Sequence, residues 1–425
     1  MTRINFESGR EFAIAMDAAD PLAGYRDRFH IPKTSAGSDC VYLCGHSLGL
    51  QPKSARAYIE QELQDWERLG VEAHFHARSP WMPYHEILAA PTARLVGALP
   101  NEVVVMNSLT ANLHLMMVSF YRPTPARNKI VIESSAFPSD QYAVQSQIAF
   151  HGHDPAESLI EIAPRPGDAT IGTEDIEKLI TEKGEQIALI LLGGVNYFTG
   201  QAFDCRRITE AGHAQGCVVG FDMAHAAGNL QLQLHDWGVD FAVWCGYKYL
   251  NGGPGCVAGC FVHERHARNL DLPRFAGWWG HDKSSRFQMS PQFQPIAGAE
   301  GWQLSNPSIL CMAALRASME IFDEVTVARL RAKSETLTSY LEFLLAREAC
   351  ESFSILTPRD PSQRGAQLSL QITKGGRAVC DRLSQQRIIC DWREPDILRV
   401  AAVPLYNSFL DVHTFADKFL AEINA

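Results

Sequence analysis

Two short apolar runs, each followed by a charged side chain, constrain the fold of this chain most. Residues 217–221 lie between a glycine and Asp222, and residues 239–245 form a second run shortly before Tyr247 and Lys248. Such runs, bounded by glycine and polar residues, are typical of strands buried on both faces of a sheet. Because ligands of open α/β sheets bind beyond the carboxyl ends of the strands, the pattern predicts a carboxylate and an amine at one ligand site.

A carboxylate and a lysine at strand ends are the two groups that pyridoxal 5′-phosphate (PLP) chemistry needs. The lysine holds the cofactor aldehyde as a Schiff base, and the carboxylate pairs with the pyridine nitrogen so that the ring accepts electrons. His225, three residues after Asp222, is suited to pack on the ring or to orient the carboxylate. A solvated strand-end lysine is the other explanation of Lys248, and the pairing with Asp222 favours the cofactor.

The rest of the chain alternates predicted strands and helices, which indicates a mainly parallel sheet covered on both faces. A separate α+β domain is predicted at the end of the chain. We expect an N-terminal segment at residues 1–60, a large domain at 61–307 and a small domain at 308–425. Besides the two runs above, the predicted strands are 41–43, 101–106, 129–133, 187–192, 353–357, 367–372, 388–392 and 398–402. The predicted helices include 52–69, 84–99, 111–120, 308–322, 328–348 and 411–423.

The turn after residues 101–106 is a candidate phosphate site. Ser108, Leu109 and Thr110 precede a predicted helix, whose free N–H groups and dipole favour an anion. Ordinary N-capping by Ser108 or Thr110 is the alternative. Phe137 follows the next strand, where an aromatic ring either stacks on a cofactor or packs in the core.

The sequence Gly45-His46-Ser47-Leu48-Gly49 matches the G-x-S-x-G motif of serine hydrolases. Only 44 residues precede it, Pro52 delays the following helix, and the late His413 falls inside the last predicted helix. A tight glycine loop that approaches a ligand is therefore favoured over a nucleophile on Ser47.

Composition excludes several other classes. The net charge of −10 and the lack of a basic run argue against nucleic-acid binding. The longest apolar stretch, residues 187–192, is too short to span a bilayer, and acidic residues occupy the place of a signal-peptide core. Eleven cysteines without a CxxC motif fit reduced thiols in the cytoplasm. No histidine pair has zinc-site partners, so we predict no metal.

The order of these motifs resembles the fold-type I PLP enzymes of the aspartate aminotransferase superfamily, and within them the kynureninase family in its eukaryotic-type pattern. The resemblance runs from about Tyr25 to the end of the chain. The stretches that carry it include residues 45–53, 107–115, 137–140, 197–201, 220–229, 235–251, 305–307 and 399–409. The most specific are Tyr-Lys-Tyr-Leu-Asn (247–251) and Val-Pro-Leu-Tyr-Asn-Ser-Phe (403–409).

This resemblance implies an α/β fold with a mainly parallel seven-stranded sheet, plus a smaller α+β domain to which the N-terminal segment contributes. It implies PLP-dependent hydrolysis of L-kynurenine or 3-hydroxy-L-kynurenine to anthranilate or 3-hydroxyanthranilate and L-alanine. It also implies a cytoplasmic homodimer with shared active sites, acting in tryptophan catabolism and NAD biosynthesis.

The resemblance also assigns roles to residues. Lys248 would be the Schiff-base lysine and the base at Cα, with Tyr247 as our candidate acid at Cβ. Arg399 would bind the substrate α-carboxylate. Asp222 would pair with the pyridine nitrogen beside His225. The other cofactor-binding residues would be Leu109, Thr110, Phe137, Pro138, Ser139, Asp140, Tyr247, Trp278 and, from the partner subunit, Asn306, and the other substrate-binding residues would be Ser47, His74, Ser305 and Asn306.

Two positions depart from the family pattern. Relatives usually have Asn where this chain has His46, and a phosphate-binding Ser where it has Gly193. We therefore expect altered hydrogen bonding in the 45–49 loop and weaker PLP retention.

Two alternatives stay open at this point. Another fold-type I enzyme, a class V aminotransferase or a cysteine desulfurase, shares the general motifs. A desulfurase needs a mobile cysteine, whereas Cys311 and Cys350 fall in predicted helices. A cofactor-free scaffold is disfavoured by the intact set of Lys248, Asp222 and Arg399.

Overall fold

The computed structural model describes residues 4–134, 136–269, 271–347 and 351–424. Its α-helices are α1 (Arg10–Ala19), α2 (Ala55–Leu69), α3 (Ala73–His76), α4 (Ala89–Val96), α5 (Leu109–Phe120), α6 (Pro138–Phe150), α7 (Pro155–Ser158), α8 (Thr173–Lys183), α9 (Cys205–Ala214), α10 (Ile309–Val325), α11 (Val327–Leu345), α12 (Arg377–Gln385) and α13 (Phe409–Ile423). Its strands are β1 (Phe29–His30), β2 (Val41–Tyr42), β3 (Gln51–Pro52), β4 (Val103–Met106), β5 (Lys129–Glu133), β6 (Leu159–Ile162), β7 (Ile187–Gly193), β8 (Val218–Asp222), β9 (Phe241–Trp244), β10 (Ala258–Val262), β11 (Phe353–Ile355), β12 (Gln367–Ile372), β13 (Ile388–Ile389), β14 (Asp391–Arg393) and β15 (Ile397–Ala401).

A seven-stranded sheet in the order β4-β10-β9-β8-β7-β5-β6 forms the centre of the molecule. The pairs from β9 to β6 are parallel, and β10 is antiparallel to both of its neighbours. The mainly parallel seven-stranded sheet of the predicted α/β fold is thereby confirmed. The carboxyl ends of the six co-directional strands meet at one edge, where the polar residues that follow them are brought together.

Helices cover both faces of this sheet, because alternate residues of its strands enter two different hydrophobic cores. Val103 and Val105 of β4 belong to the same core as Ile176 of α8 and Ile208 of α9. The intervening residues pack with α5 and α6, where Leu113, Met116 and Val144 are fully buried. Burial on both faces explains why the strands are near-continuous apolar runs.

A second, antiparallel sheet has the order β11-β12-β15-β14. Its core with α11 and α13 also contains Ala13 and Leu43, which come from the N-terminal part of the chain. β2 pairs with β13 in parallel, again joining the two ends of the chain. The domain boundaries at residues 60 and 307 stay a prediction.

Three sequence predictions differ from the structure. The strand predicted at 388–392 is wrong as a single strand, because β13 pairs with β2 whereas β14 pairs with β15. The helix predicted from Pro52 begins at Ala55, because Pro52 belongs to β3 and pairs with Phe29. Strands β1, β3, β6 and β10 were not predicted. The helix predicted to residue 348 ends at Leu345, and residue 348 itself lies outside the described residues.

None of the helices in the described ranges combines the length and the apolar composition that crossing a membrane requires.

Candidate active site

A cavity of about 160 Å³ lies at the carboxyl ends of β5, β7 and β8 and beside the start of α5. Nine residues predicted to bind the cofactor line it: Leu109, Thr110, Phe137, Ser139, Asp140, Asp222, His225, Tyr247 and Lys248. A larger apolar groove of about 870 Å³, lined in part by Leu48, Pro254 and Leu310, contains none of these nine residues. The chemistry-bearing side chains therefore converge on the smaller cavity.

Among the described residues, Lys248 is the only lysine that lines this cavity. Its Nζ lies 3.1 Å from Nε2 of His225 and 5.8 Å from the centre of the Phe137 ring. Burial, followed by the charge of Lys248, lowers the pKa of His225 well below its usual 6.5, so the imidazole is neutral. His225 Nδ1 is buried and has no hydrogen-bond partner among the described residues. A neutral His225 can accept a hydrogen bond from Lys248 at Nε2.

Three buried carboxyl groups form one end of the cavity. Asp222 Oδ1 accepts a hydrogen bond of 2.7 Å from the N–H of Ala224, and burial raises the pKa of Asp222. Burial and then the charge of Asp222 raise the pKa of Asp140 well above 3.8, and burial raises that of Glu133 to about 7. Asp140 Oδ1 has no partner within the described ranges. A protonated pyridine nitrogen would supply the positive charge that this end of the cavity lacks.

Glu133 also explains the glycine at position 193. Its two carboxyl oxygens lie 3.3 and 3.2 Å from the N–H of Gly193. A Cβ at this position would come within 3.0 Å of Glu133 Oε1. A serine here would therefore meet Glu133 first, which gives no support to the expected loss of a phosphate contact at Gly193.

Two helix N-termini form another part of the cavity wall. The N-cap residue of α5, Ser108, makes no side-chain capping bond, and neither does Phe137 at the start of α6. The Thr110 hydroxyl lies 2.8 Å from that of Ser139, so it does not serve as a cap either. The N-capping alternative is therefore wrong for Ser108, and the free N–H groups suit a phosphate. The amine of Lys248, the carboxyl groups and the two helix N-termini of this cavity together fit PLP.

The Gly45–Gly49 loop packs against the segment that carries Lys248. The N–H of Gly49 donates to the carbonyl of Tyr247 at 2.8 Å, and a Cβ on Gly49 would lie 2.3 Å from the Lys248 carbonyl oxygen. The preceding strand β2 is outside the large sheet, and His413 Nε2 lies 3.2 Å from the Ser8 carbonyl oxygen. The loop is therefore not a hydrolase elbow. Ser47 is half-buried and does not line the cavity.

Arg399 is only 1% exposed and does not itself line the cavity. Its Nη1 donates to the carbonyl of Tyr197 at 2.8 Å, and its Nη2 donates to Asp391. Its Cζ lies 5.8 Å from the centre of the Tyr197 ring, and Tyr197 does line the cavity. The side chain of Tyr197 thus lies between the cavity and Arg399, the predicted binding group for the substrate carboxylate, and Arg399 already donates to other acceptors.

Four predicted residues lie away from the cavity. Trp278 is 42% exposed, with Nε1 3.5 Å from the Arg286 carbonyl oxygen, and Ser305 and Asn306 are exposed. His74 is half-buried, with its ring edge-on to Trp81. Pro138 begins α6 beside the cavity-lining Phe137. The roles of these residues stay predictions.

Three groups of side chains in the described ranges bring possible metal ligands within 4.8 Å of one another: Cys44 with His46 and Asp391, Glu102 with His235 and His263, and His85 with Glu86 and Glu300. The prediction of no metal stays a prediction.

Sequence reasoning missed four cavity-lining residues, Glu133, Val195, Tyr197 and Ala224. Glu133 carried a usable signal, because it ends an apolar strand in the same way as Asp222 does. Val195 and Ala224 carry no such signal, since small apolar residues after a strand are common.

The fold and the cavity define the class of fold-type I PLP-dependent enzymes. The cystine C-S lyase C-DES in complex with cysteine persulfide superposes with a TM-score of 0.77 at 17% identity, covering 90% of this chain and 97% of that one. The cysteine desulfurase CsdA from Escherichia coli also gives 0.77 at 17% identity, covering 95% and 98%. At this identity the similarity shows the shared fold alone.

Sequence relatives define the family within this class. The kynureninase of Koribacter versatilis is 66% identical over 100% of both chains, and that of Myxococcus xanthus is 61% identical over 96% of both. Residues 330–419 match the family model of the kynureninase C-terminal domain. The chain belongs to the kynureninase family.

Membership in this family confirms the predictions of an enzyme and of PLP as its cofactor. It also decides against the desulfurase, aminotransferase and scaffold alternatives. Cys311 lies on helix α10, as predicted, and Cys350 is outside the described residues.

Proposed function

We propose that this chain hydrolyses L-kynurenine, and its 3-hydroxy form, to L-alanine and anthranilate or 3-hydroxyanthranilate. Water adds to the ketone carbon, the Cβ–Cγ bond breaks, and Cβ takes up a proton, so the atoms of one water molecule enter the products. Full-length identity of 66% to a kynureninase carries the proposal, and the convergence of Lys248 with Asp222 at one cavity supports it.

Different walls of the cavity would bind different parts of PLP. The N-termini of α5 and α6, with Thr110, would hold the phosphate, Asp222 would pair with the pyridine nitrogen, and Phe137 would stack on the ring. When bound, the cofactor accepts the electron pair that bond cleavage would otherwise leave on Cβ.

Lys248 and Tyr247 would move the protons. Lys248 would take the proton from Cα, and neutral His225, whose Nε2 lies 3.1 Å from Lys248 Nζ, can accept a hydrogen bond that orients this amine. Burial raises the pKa of Tyr247, so its O–H stays protonated at neutral pH and can donate to Cβ. Since the two residues are consecutive, one strand end would hold both base and acid.

Substrate recognition would use Arg399 for the α-carboxylate and Ser47, His74, Ser305 and Asn306 for the rest of the molecule. Asn306 and Trp278 would enter from a partner subunit. Large exposed apolar side chains on two segments support a homodimer: Trp66, Val71 and Phe75 on one, and Phe275, Trp278, Phe287 and Met289 on the other. We also place the enzyme in the cytoplasm, in tryptophan catabolism and NAD supply.

Absorbance of the purified protein tests this function. We expect a visible cofactor band that is lost in Lys248→Ala, and release of L-alanine from L-kynurenine by the wild type alone. Rates with kynurenine and with 3-hydroxykynurenine give the preference. A cofactor band without alanine release from either compound would refute the proposed reaction while keeping the PLP class.

A further inference from the structure

His46 is a buried polar side chain without a use in the proposed reaction. It is 0% exposed, and neither ring nitrogen has a hydrogen-bond partner within the described residues. Burial, and then the charge of Arg399, lowers its pKa to about 4, so the ring is neutral and carries one N–H donor. A buried donor and acceptor that both stay unpaired are costly, and native structures seldom keep them without a function.

Asp391 places a carboxylate close to this ring. His46 Nε2 lies 3.4 Å from Asp391 Oδ2, without hydrogen-bond geometry. Asp391 instead accepts from Arg399 Nη2, directly opposite on the paired strands β14 and β15, and from Arg393 Nη2 at 3.1 Å. His46 is thus positioned beside a carboxylate that other donors occupy.

In this state each two-nitrogen edge of Arg399 includes a nitrogen that already donates to another group. Two-point binding of a carboxylate uses two N–H groups on one edge of the guanidinium. Nη2 is taken by Asp391 and Nη1 by the Tyr197 carbonyl, whereas the buried Nε has no partner in the described part of the chain. A substrate carboxylate on the Nε–Nη2 edge would share Nη2 with Asp391, and the two negative charges would repel each other unless Asp391 releases Nη2.

We propose that Asp391 stands in for the substrate α-carboxylate and that His46 takes over Asp391 when the substrate displaces it. The Nη2–H···Oδ2 hydrogen bond breaks, His46 Nε2–H donates to Oδ2, and Nη2–H and Nε–H donate to the substrate. This inference rests on the proposed function. His46 is a positioning residue in it, because it acts through Asp391 and Arg399.

The surroundings fit a fixed ring and a movable carboxylate. A Cβ on Gly45 would come 2.1 Å from Tyr406 Oη, so the loop that carries His46 is closely packed. Asp391 begins β14, a three-residue strand at the edge of its sheet. The other ligand that this cluster suggests is a metal ion shared with Cys44, but the guanidinium groups of Arg393 and Arg399 on Asp391 disfavour a cation there.

The test uses the PLP-loaded enzyme and two ligands, L-alanine and the decarboxylated amine of kynurenine. Dissociation constants come from changes in cofactor absorbance, and KM and kcat come from kynurenine turnover. The variant His46→Phe removes the N–H donor. We expect its dissociation constant for alanine and its KM for kynurenine to rise about tenfold, because that factor corresponds to the loss of one hydrogen bond to a charged group. We expect a smaller change in kcat. Binding of the amine, which lacks the carboxylate, should not change.

Two further variants separate this role from a structural one. His46→Gln keeps an N–H at a similar reach and should restore most of the alanine affinity. His151→Phe is the matched control, because His151 Nε2 is also buried without a partner among the described residues and lies outside the site. We expect it to bind alanine as the wild type does. If His46→Phe does not fold, His46→Leu takes its place.

A double variant decides the matter. In an Asp391→Asn background, His46→Phe should no longer weaken alanine binding, because no displaced carboxylate needs the donor. An equal tenfold loss in that background, an equal loss for the amine, or no loss in His46→Phe itself would overturn the proposal. Absence of kynurenine turnover in the wild type would refute the proposed function instead, and alanine binding would still test His46.

Discussion

At the residue scale, Glu133 makes the stability of the cofactor-free protein depend on pH. Its buried carboxyl group has a pKa of about 7, whereas an ordinary glutamate has 4.5. Between these values the folded chain keeps a proton that the unfolded chain releases, so stability falls as the pH rises from 4.5 through 7. The total loss is roughly 3 kcal/mol, at 1.36 kcal/mol per pH unit.

Glu133→Gln removes this titration, so its melting temperature without PLP should fall less between pH 5 and pH 8 than that of the wild type. Thermal melts at the two pH values measure the effect, with the exposed Glu67→Gln as the control. Identical pH profiles for the wild type and Glu133→Gln would contradict the expectation. Saturating PLP should reduce the difference, because a positive ring nitrogen favours the ionised carboxylate.

Tyr247 gives a second prediction at this scale. Without the proton donor at Cβ, Tyr247→Phe should lose kcat by about 10²–10⁴-fold, the usual contribution of a general acid, while it keeps the cofactor band. The matched control is Tyr249→Phe, which removes a buried hydroxyl that has no hydrogen-bond partner in the described part of the chain. Full turnover in Tyr247→Phe would remove this residue from the mechanism.

At the element scale, the Gly45–Gly49 loop supports the strand end that carries Lys248. In Gly49→Ala the new Cβ would lie 2.3 Å from the Lys248 carbonyl oxygen and 2.8 Å from Asn251 Cα, so backbone must shift. We expect a loss of about 1–3 kcal/mol in unfolding free energy, as for other overpacked sites, together with faster release of PLP. Denaturant titration and cofactor absorbance measure the two effects. The control is Gly24→Ala, where a new Cβ would have no atom within 4 Å, so the unfolding free energy and the release of PLP should not change. Equal behaviour of the two variants would refute the proposal that the loop supports the segment with Lys248.

The elements that could be predicted are those whose residues are buried on both faces, because burial alone sets their composition. Strands β5, β7 and β8 and the positions of Asp222 and Lys248 follow from such runs. β10 could not be predicted, because Ala258 and Gly259 follow a glycine turn and its antiparallel pairing depends on distant β4. Residues 388–392 look like one strand, and only the packing of the chain ends divides them between two sheets.

At the scale of the whole molecule, the site depends on contacts that no local pattern contains. Arg399 was assigned to the substrate, yet it pairs with Asp391 across β14 and β15 and with the Tyr197 carbonyl, which lies outside the small sheet. Trp278 was assigned to the cofactor, yet it lies outside the cavity of its own chain. The proposed partner subunit would reconcile that assignment with the exposure of Trp278.

Mixing two defective chains tests whether sites are shared. Lys248→Ala and Trp278→Ala are co-expressed with different tags, and the mixed dimers are isolated and assayed for PLP content and turnover. If Trp278 serves the partner's cavity, each mixed dimer has one intact site and one site with both lesions. The isolated mixed dimers would then show about half of wild-type activity, since each has one working site of two. Lys248→Ala mixed with Tyr247→Phe is the control, because both residues line the same cavity and no site is restored. Activity no higher than the mean of the two parent homodimers would show that Trp278 contributes to the active site of its own chain.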